Sequence, residues 1–400
     1  MSMATATLPS SAVPAPAVDR GPILVAALAF LAGAVLLTDL VGLRQAGLFL
    51  IGGLCGVALY HAAFGFTAGW RRFVTDRRGA GMRAQLLMVG IAALAIIPLL
   101  SLGTIFGKPL AGAIAPVGIS VLIGAALFGL GMQLGGGCGS GTLFTVGGGS
   151  ARMLVTLAFF IAGAVIGTAH LPWWLEQPAW QPIALGNEFG VAGGIAVTLI
   201  GLALLALVTV WFERCRHGGL EAAKPAPRRG LERVLHGPWP LLWGAVALAL
   251  LNIATLIVAG HPWSITYAFG LWGAKAIQAA GVPVETWTFW SWPAQARALN
   301  RSVLFDTTSV MDFGLILGAG IAAALAGKFA PRATLPWRSA LAAALGGLLM
   351  GYGARLSFGC NIGALFSGIA SGSVHGWLWF AAAFAGSWLG VRLRPAFRLE

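Results

Sequence analysis

The sequence predicts an all-α integral membrane protein with about ten transmembrane helices plus short re-entrant helices, arranged as two inverted repeats. Of its 400 residues, 58% are hydrophobic and only 9% are charged, whereas soluble domains carry roughly 25% charged residues. The apolar stretches are about 17 to 23 residues long and lack the alternation of membrane β-strands, so helices are favoured over a barrel. Two glycine-flanked cysteine segments recur at a constant separation and indicate the repeat.

Ten stretches are long and apolar enough to be candidate spans. They cover residues 22–40, 46–66, 84–102, 115–133, 151–170, 190–212, 240–259, 310–328, 338–355 and 374–391. The chain is thereby divided into a disordered cytosolic tail (1–20), a first membrane half (21–212, with a repeat core of about 46–170), a basic cytosolic loop (213–236) and a second membrane half (237–400).

The basic residues orient these spans. The formal net charge is +13, and most of the excess lies in the short segments that follow spans two, six, eight and ten. Simple alternation places these segments on one side, which the positive-inside rule identifies as the cytoplasm. Both termini are then cytoplasmic, and the protein is expected in the inner membrane of a bacterium. Because the cations are spread over loops, the charge does not indicate a nucleic-acid partner.

The opposite side is rich in tryptophan, which favours the membrane interface. Residues 170–189 form one such segment, and residues 261–309 form a longer one. The longer segment is too apolar for a plain loop, and we expect it to contain short helices that dip into the bilayer.

The repeat is visible at a constant shift of 222 residues, and we expect the substrate path at the interface between its halves. Nine positions match, namely Gly124, Gly129, Gly131, Leu134, Gly137, Cys138, Gly141, Leu143 and Phe144 with Gly346, Gly351, Gly353, Leu356, Gly359, Cys360, Gly363, Leu365 and Phe366. A second match joins Ala63-Phe64-Gly65 to Ala268-Phe269-Gly270. Cys138 follows the cytoplasmic end of span four, whereas Cys360 follows the outer end of span nine. The two halves are therefore expected to have opposite orientations in the membrane.

The two cysteine segments are the candidate substrate path. Each cysteine follows a span and precedes about ten small or apolar residues, which are too few to cross a bilayer but suit a re-entrant helix. Such a helix directs free N–H groups and the positive end of its dipole inward, and this favours an anion. The residues involved are Cys138 with Gly137 and Gly139, and Cys360 with Gly359 and Asn361. Cys55 and Cys215 lie outside the repeat-matched segments and are expected to be structural or incidental.

Two cationic residues are further candidates. Lys275 falls in the predicted short helix after span seven, where it either holds an anion at the outer entrance or snorkels to the interface. Arg355 lies five residues before Cys360, at the position that Gln133 occupies before Cys138. It either draws the anion inward or caps span nine. The histidines lack metal-ligand spacing, no phosphate-binding loop is present, and no cofactor is predicted.

At these residues the sequence resembles the YeeE/YedE family of membrane proteins, whose characterised members take up thiosulfate. The resemblance is carried by Gly137-Cys138-Gly139-Ser140-Gly141-Thr142-Leu143 and Gly359-Cys360-Asn361-Ile362-Gly363, and more weakly by residues 64–71 and 271–275. It implies an hourglass-like fold with the substrate passing between cysteine thiols at the waist, and Cys138 and Cys360 match those positions. A further cysteine of some members is replaced by Val74, so the transported ion stays open between sulfur and selenium compounds.

Three classes of function remain. The first is a transporter for thiosulfate or a related small sulfur-containing anion in the lipid bilayer, to which the resemblance adds a cytosolic sulfur-carrier protein as partner. The second is an enzyme that forms a persulfide on Cys138 or Cys360, although no base is evident near either residue. The third is a structural membrane protein. The transporter is the prediction, and no enzymatic activity is expected.

Overall fold

The computed structural model describes residues 20–222, 228–329, 331 and 335–399, and these are almost wholly helical. The predicted tail therefore lies outside the described residues, apart from Arg20. The first half contains eight helices: α1 (Arg20–Leu40), α2 (Leu43–His61), α3 (Phe66–Asp76), α4 (Ala80–Ser101), α5 (Ile119–Gly135), α6 (Gly139–Gly147), α7 (Ala151–Leu175) and α8 (Leu185–His217).

The second half begins with α9 (Gly230–His236) in the basic segment. It continues with α10 (Leu241–Ala259), α11 (Thr266–Ala279), α12 (Thr288–Ser291), α13 (Pro293–Asn300), α14 (Thr307–Leu325), α15 (Trp337–Leu356), α16 (Gly368–Ala370) and α17 (Val374–Leu393). Residues Asn361–Ser367 form a π-helical segment, and 3-10 turns cover Val284–Thr286, Val303–Phe305 and Arg394–Phe397. Four two-residue strands pair antiparallel, β1 (Thr104–Ile105) with β2 (Lys108–Pro109) and β3 (Val117–Gly118) with β4 (Ala179–Trp180).

The predicted all-helical membrane fold is confirmed. Within the described residues, nine helical stretches are long and apolar enough to cross a bilayer. The tenth predicted span, 374–391, corresponds to the 20-residue α17. That helix is not among the nine, since its histidine, tryptophans and glycines lower its hydropathy. The short helices predicted within residues 261–309 are present as α11, α12 and α13.

Two helices, α5 and α15, cross at the centre with their backbones in contact. A Cβ atom added to Gly346 would lie 2.6 Å from the carbonyl oxygen of Gly131, and one added to Gly353 would lie 2.4 Å from that of Gly124. Any larger side chain would separate the helices at these points. In a membrane, such close approach supplies van der Waals contact where the hydrophobic effect between helices is absent.

The same kind of contact joins each of these helices to a helix of the other half. A Cβ at Gly129 of α5 would lie 1.9 Å from the carbonyl oxygen of Ala383 in α17. A Cβ at Gly351 of α15 would lie 2.1 Å from that of Phe160 in α7. Gly351 follows Gly129 by 222 residues, and Ala383 follows Phe160 by 223. The two contacts are therefore equivalent under exchange of the halves, which supports the predicted repeat.

A second pair of contacts follows the same exchange. A Cβ added to Gly163 of α7 would lie 2.2 Å from the carbonyl oxygen of Leu348, and one added to Gly386 of α17 would lie 2.0 Å from that of Ala126. Gly386 follows Gly163 by 223 positions, and Leu348 follows Ala126 by 222. The opposite membrane orientation of the two halves stays a prediction.

A side chain at Gly351 should disrupt the packing of α15 on α7. We expect Gly351→Val to destabilise the protein by at least about 1–3 kcal/mol, because the added atoms meet backbone that has no room to move. Gly47→Val is the matched control, since nothing lies within 4 Å of a Cβ at that position. Thermal unfolding and size-exclusion chromatography in detergent measure both variants. Equal stability of the two variants would contradict the tight contact.

The predicted orientation can be tested with single reporter cysteines at Gly230 and Trp180, both of which are exposed. The background carries Cys215→Ser, because Cys215 is the exposed native thiol of the four cysteines. In intact cells, a membrane-impermeant maleimide should label position 180 from outside and position 230 only after the cytoplasm is opened. Labelling of both positions from one side would rule out this topology and, with it, the inversion of the halves.

Candidate functional site

Cys138 stands at the start of a short buried helix. The preceding helix α5 ends at Gly136, which adopts the left-handed conformation with φ 91° and donates its N–H to the carbonyl oxygen of Met132. The chain then turns into α6, and Cys138 is the residue that caps its N-terminus. The Cys138 carbonyl accepts a hydrogen bond of 2.8 Å from the N–H of Thr142. The side chain of Cys138 is 1% exposed.

Cys360 occupies the same place in the second half. It caps the π-helical segment Asn361–Ser367, and its sulfur accepts a hydrogen bond of 3.4 Å from the N–H of Ile362. Gly359 precedes it with φ 151°, and a Cβ there would lie 2.7 Å from the amide nitrogen of Ala364. The cysteine is fully buried. The nine-residue α6 and the apolar helix Asn361–Ala370 are both too short to cross a bilayer.

The fold brings the two cysteine segments together. A Cβ added to Gly139 would lie 3.2 Å from the sulfur of Cys360 and 3.5 Å from a methyl group of Ile265. The N-terminus of α6 thus abuts the other repeat's cysteine. Of the predicted site residues, Gly137, Gly139, Gly359 and Asn361 all lie beside these two sulfurs.

Hydrogen-bond donors from several helix N-termini surround the cysteines. The sulfur of Cys138 lies 3.5 Å from the hydroxyl of Ser140 and faces the backbone N–H groups of Gly141 and Phe66. Phe66 is the first residue of α3. Thr266, the first residue of α11, lies against Gly139. The starts of α3, α6, α11 and the π-helical segment therefore converge, and their aligned dipoles favour negative charge.

Several polar side chains near the cysteines have unused hydrogen-bonding capacity. Among the described residues, no partner is found for the hydroxyl of Thr142 or for either amide atom of Asn361. Both side chains are buried. Buried polar groups are normally paired, so these unpaired groups in the two cysteine segments point to a ligand or water that completes them.

The two predicted cations are placed differently. Lys275 lies in α11, and its ammonium group donates to the carbonyl oxygen of Leu299 at 2.5 Å, which ties α11 to α13. Arg355 is half-buried in α15, with its guanidinium 5.0 Å from the ring centroid of Phe289 and 5.7 Å from that of Tyr267. Neither residue is hydrogen-bonded to a cysteine sulfur. Arg355 lies beside α11, where a Cβ added to Gly270 would lie 2.8 Å from its guanidinium group.

Two cavities contain arginine side chains. One, of about 310 Å³, lies at the starts of α11 and α14, where Arg297, Arg301 and Asp306 are among its lining residues. The other, of about 110 Å³, lies at the starts of α3 and α4, where its lining includes Arg72 and Arg78. Arg72 is ion-paired with Glu221 and Arg78 with Glu213.

The sequence predictions did not include Asp312, Thr142, Arg297 or Arg301. Asp312 had a usable signal, because it is the acidic residue within the predicted span 310–328, and an ionisable residue inside the membrane is functional by default. The other three carry no such signal, since their placement depends on how distant segments pack.

Comparison with known proteins gives a consistent set of relatives. A family model described as "Sulphur transport" matches residues 61–389. The thiosulfate transporter TsuA of Spirochaeta thermophila is 25% identical over 85% of this chain and 96% of its own length, and that of Escherichia coli is 25% identical over 86% and 94%. The probable transporter YedE of Escherichia coli is 32% identical over 40% of each chain. The match to YedE therefore spans less than half of that protein.

The burial of three of the four cysteines predicts their reactivity. In the folded, detergent-solubilised protein, a bulky maleimide should modify Cys215, which is exposed, and leave Cys55, Cys138 and Cys360 untouched. All four should react after denaturation. Mass spectrometry counts the labels, and Cys215→Ser serves as the control with no native labelling. Modification of Cys138 or Cys360 in the folded protein would contradict an enclosed site.

Proposed function

The chain belongs to the sulphur transport (YeeE/YedE) family, and from this premise we propose that it carries thiosulfate, or a closely related small sulfur-containing anion, past the thiols of Cys138 and Cys360. The family and the apolar helices make it a multi-pass membrane protein that transports sulfur compounds. The identity of the ion, the role of the cysteines and the bacterial inner membrane as location are the parts proposed here.

One observation carries the proposal. Two buried thiols lie where helix N-termini from both halves converge, together with unpaired groups on Thr142 and Asn361. A sulfur-containing anion needs hydrogen-bond donors, and N–H groups, hydroxyls and thiols supply them without a fixed positive charge. A thiol is a weak donor. Weak binding at neighbouring positions lets an ion enter and also leave, as conduction requires.

The charged residues fit roles at the two ends of this path. Arg297 and Arg301 in the larger cavity would raise the local concentration of an anion at that mouth. Arg72 and Arg78 in the smaller cavity would contribute less, because Glu221 and Glu213 offset their charges. Arg355 would act between the larger cavity and Cys360. Lys275 would act in part by holding α13, the helix that carries Arg297, against α11.

Thiosulfate is favoured because the two relatives that align with most of this chain are both thiosulfate transporters. Under the positive-inside rule the basic segments and both termini would face the cytoplasm, and the smaller cavity would then open inward. A cytosolic sulfur-carrier protein would then receive the ion after its release. Sulfur transfer through a persulfide is less well supported, because a buried sulfur is out of reach of a carrier protein.

Substitution of the cysteines tests the proposal. Cys138→Ala and Cys360→Ala should each reduce uptake of labelled thiosulfate into proteoliposomes strongly. Loss of about 1–3 kcal/mol of hydrogen bonding corresponds to a factor of roughly 5–150 in occupancy. Cys55→Ala and Cys215→Ala are the controls and should keep near-normal uptake. Size-exclusion chromatography confirms folding of all variants. Normal uptake in the double variant Cys138→Ala/Cys360→Ala would show that the two cysteines have a packing role and no role in transport.

Serine at the same positions separates transport from sulfur transfer. A hydroxyl still donates a hydrogen bond, so Cys138→Ser and Cys360→Ser should keep partial uptake. A hydroxyl cannot form a persulfide, so a sulfur-transfer protein should lose all activity. Complete loss in both folded serine variants, together with a persulfide detected on the wild-type cysteines, would replace the proposed mechanism.

A further inference from the structure

Asp312 is a carboxylate buried inside the membrane domain without a hydrogen-bond partner. It lies in the second turn of α14 and is 0% exposed. Among the described residues, neither of its oxygens is hydrogen-bonded. An ionised carboxylate in such a place is strongly disfavoured, whereas a protonated one is tolerated, so the group is suited to hold a proton.

The position of Asp312 connects the larger cavity to a cysteine. It lies six residues beyond Asp306, which lines that cavity and caps α14 by accepting hydrogen bonds from the N–H and hydroxyl of Ser309. Helix α14 packs on α6, where a Cβ added to Gly147 would meet the carbonyl oxygen of Ile316, one turn beyond Asp312. Helix α14 therefore runs from the larger cavity to α6, the helix that Cys138 caps.

Among the described residues, no cation forms an ion pair with Asp312. Helices α1, α2, α6, α9 and α11 pack against α14. The titratable or charged groups of those helices and of the cap of α6 are Arg20, Asp39, Arg44, Cys55, Tyr60, His61, Cys138, Glu232, Arg233, His236, Tyr267 and Lys275.

We propose that Asp312 is the proton-binding group that couples passage of the anion to movement of a proton. The carboxylate takes up a proton from the side of the larger cavity as the anion reaches Cys360, and it releases that proton after the anion has left towards the other side. No electron is exchanged, and the carboxyl group returns to its starting state. The inference rests on the proposed transport function and adds its driving force.

Electrostatics gives the coupling its direction. An anion beside the carboxyl group favours the protonated form, and by linkage the protonated form favours the anion. A metal cation is a weaker candidate for Asp312. The described residues contain no group of three or more His, Cys, Asp or Glu side chains that could hold a metal ion.

The test uses proteoliposomes with the purified full-length chain, labelled thiosulfate outside and a pH-sensitive dye inside. With the membrane potential held at zero by potassium and valinomycin, adding thiosulfate to the wild type should acidify the lumen. An inward proton gradient should then raise thiosulfate accumulation by about tenfold per pH unit if one proton accompanies each dianion. Asp312→Asn keeps a neutral donor of the same shape. It should still exchange thiosulfate across the membrane at equal concentrations, but should lose both the acidification and the gradient-driven accumulation.

Two further variants make the result decisive. Asp39→Asn, on the exposed face of α1, is the matched control and should behave as the wild type. Asp312→Glu retains a carboxyl group and should retain coupling, and it tests the proposal if Asp312→Asn fails to fold. Coupling retained in folded Asp312→Asn, or thiosulfate uptake by the wild type without proton movement, overturns the inference and leaves the proposed function intact. Absence of any thiosulfate flux in the wild type overturns the proposed function itself.

Discussion

Helices of this protein touch through backbone atoms, and the rest of the structure depends on that contact. In lipid the hydrophobic effect does not drive helices together, so their association depends on close packing. At Gly129, Gly351 and their partners the helices approach so closely that even a methyl group would collide with a carbonyl oxygen. This frame of α5, α7, α15 and α17 leaves space for helices too short to span the membrane. The cysteines lie where those short helices begin.

The sequence predicted the spans and the short helices after each cysteine, and the family resemblance implied that the two cysteine segments meet. Hydropathy and the spacing of small residues are local signals, and the constraint that backbone groups be satisfied in lipid makes them reliable. The approach of Phe66 to Cys138, the contact of Lys275 with Leu299 and the arginines of the larger cavity could not be predicted. Each depends on segments far apart in the chain, and no local pattern records which of them will meet.

The two halves share a backbone plan but differ in the polar groups placed on it. Gln133 and Arg355 stand at matched positions, as do Gly139 and Asn361. The amide of Gln133 is hydrogen-bonded to the carbonyl of Thr67 and the hydroxyl of Ser387, whereas Arg355 lies against aromatic rings. The two halves therefore present different polar groups at equivalent positions of a shared backbone.

The contact between Gly139 and Cys360 has a consequence for how the sequence can change. A methyl group at position 139 would press on a sulfur atom 221 residues further along the chain. Residue 139 must therefore stay small because the sulfur of Cys360 lies against it. The size of residue 360 is limited in turn by the closeness of residue 139. The halves of a duplicated chain usually drift apart independently. Here each half sets the limits within which the other can vary, so this pair is expected to co-vary among relatives.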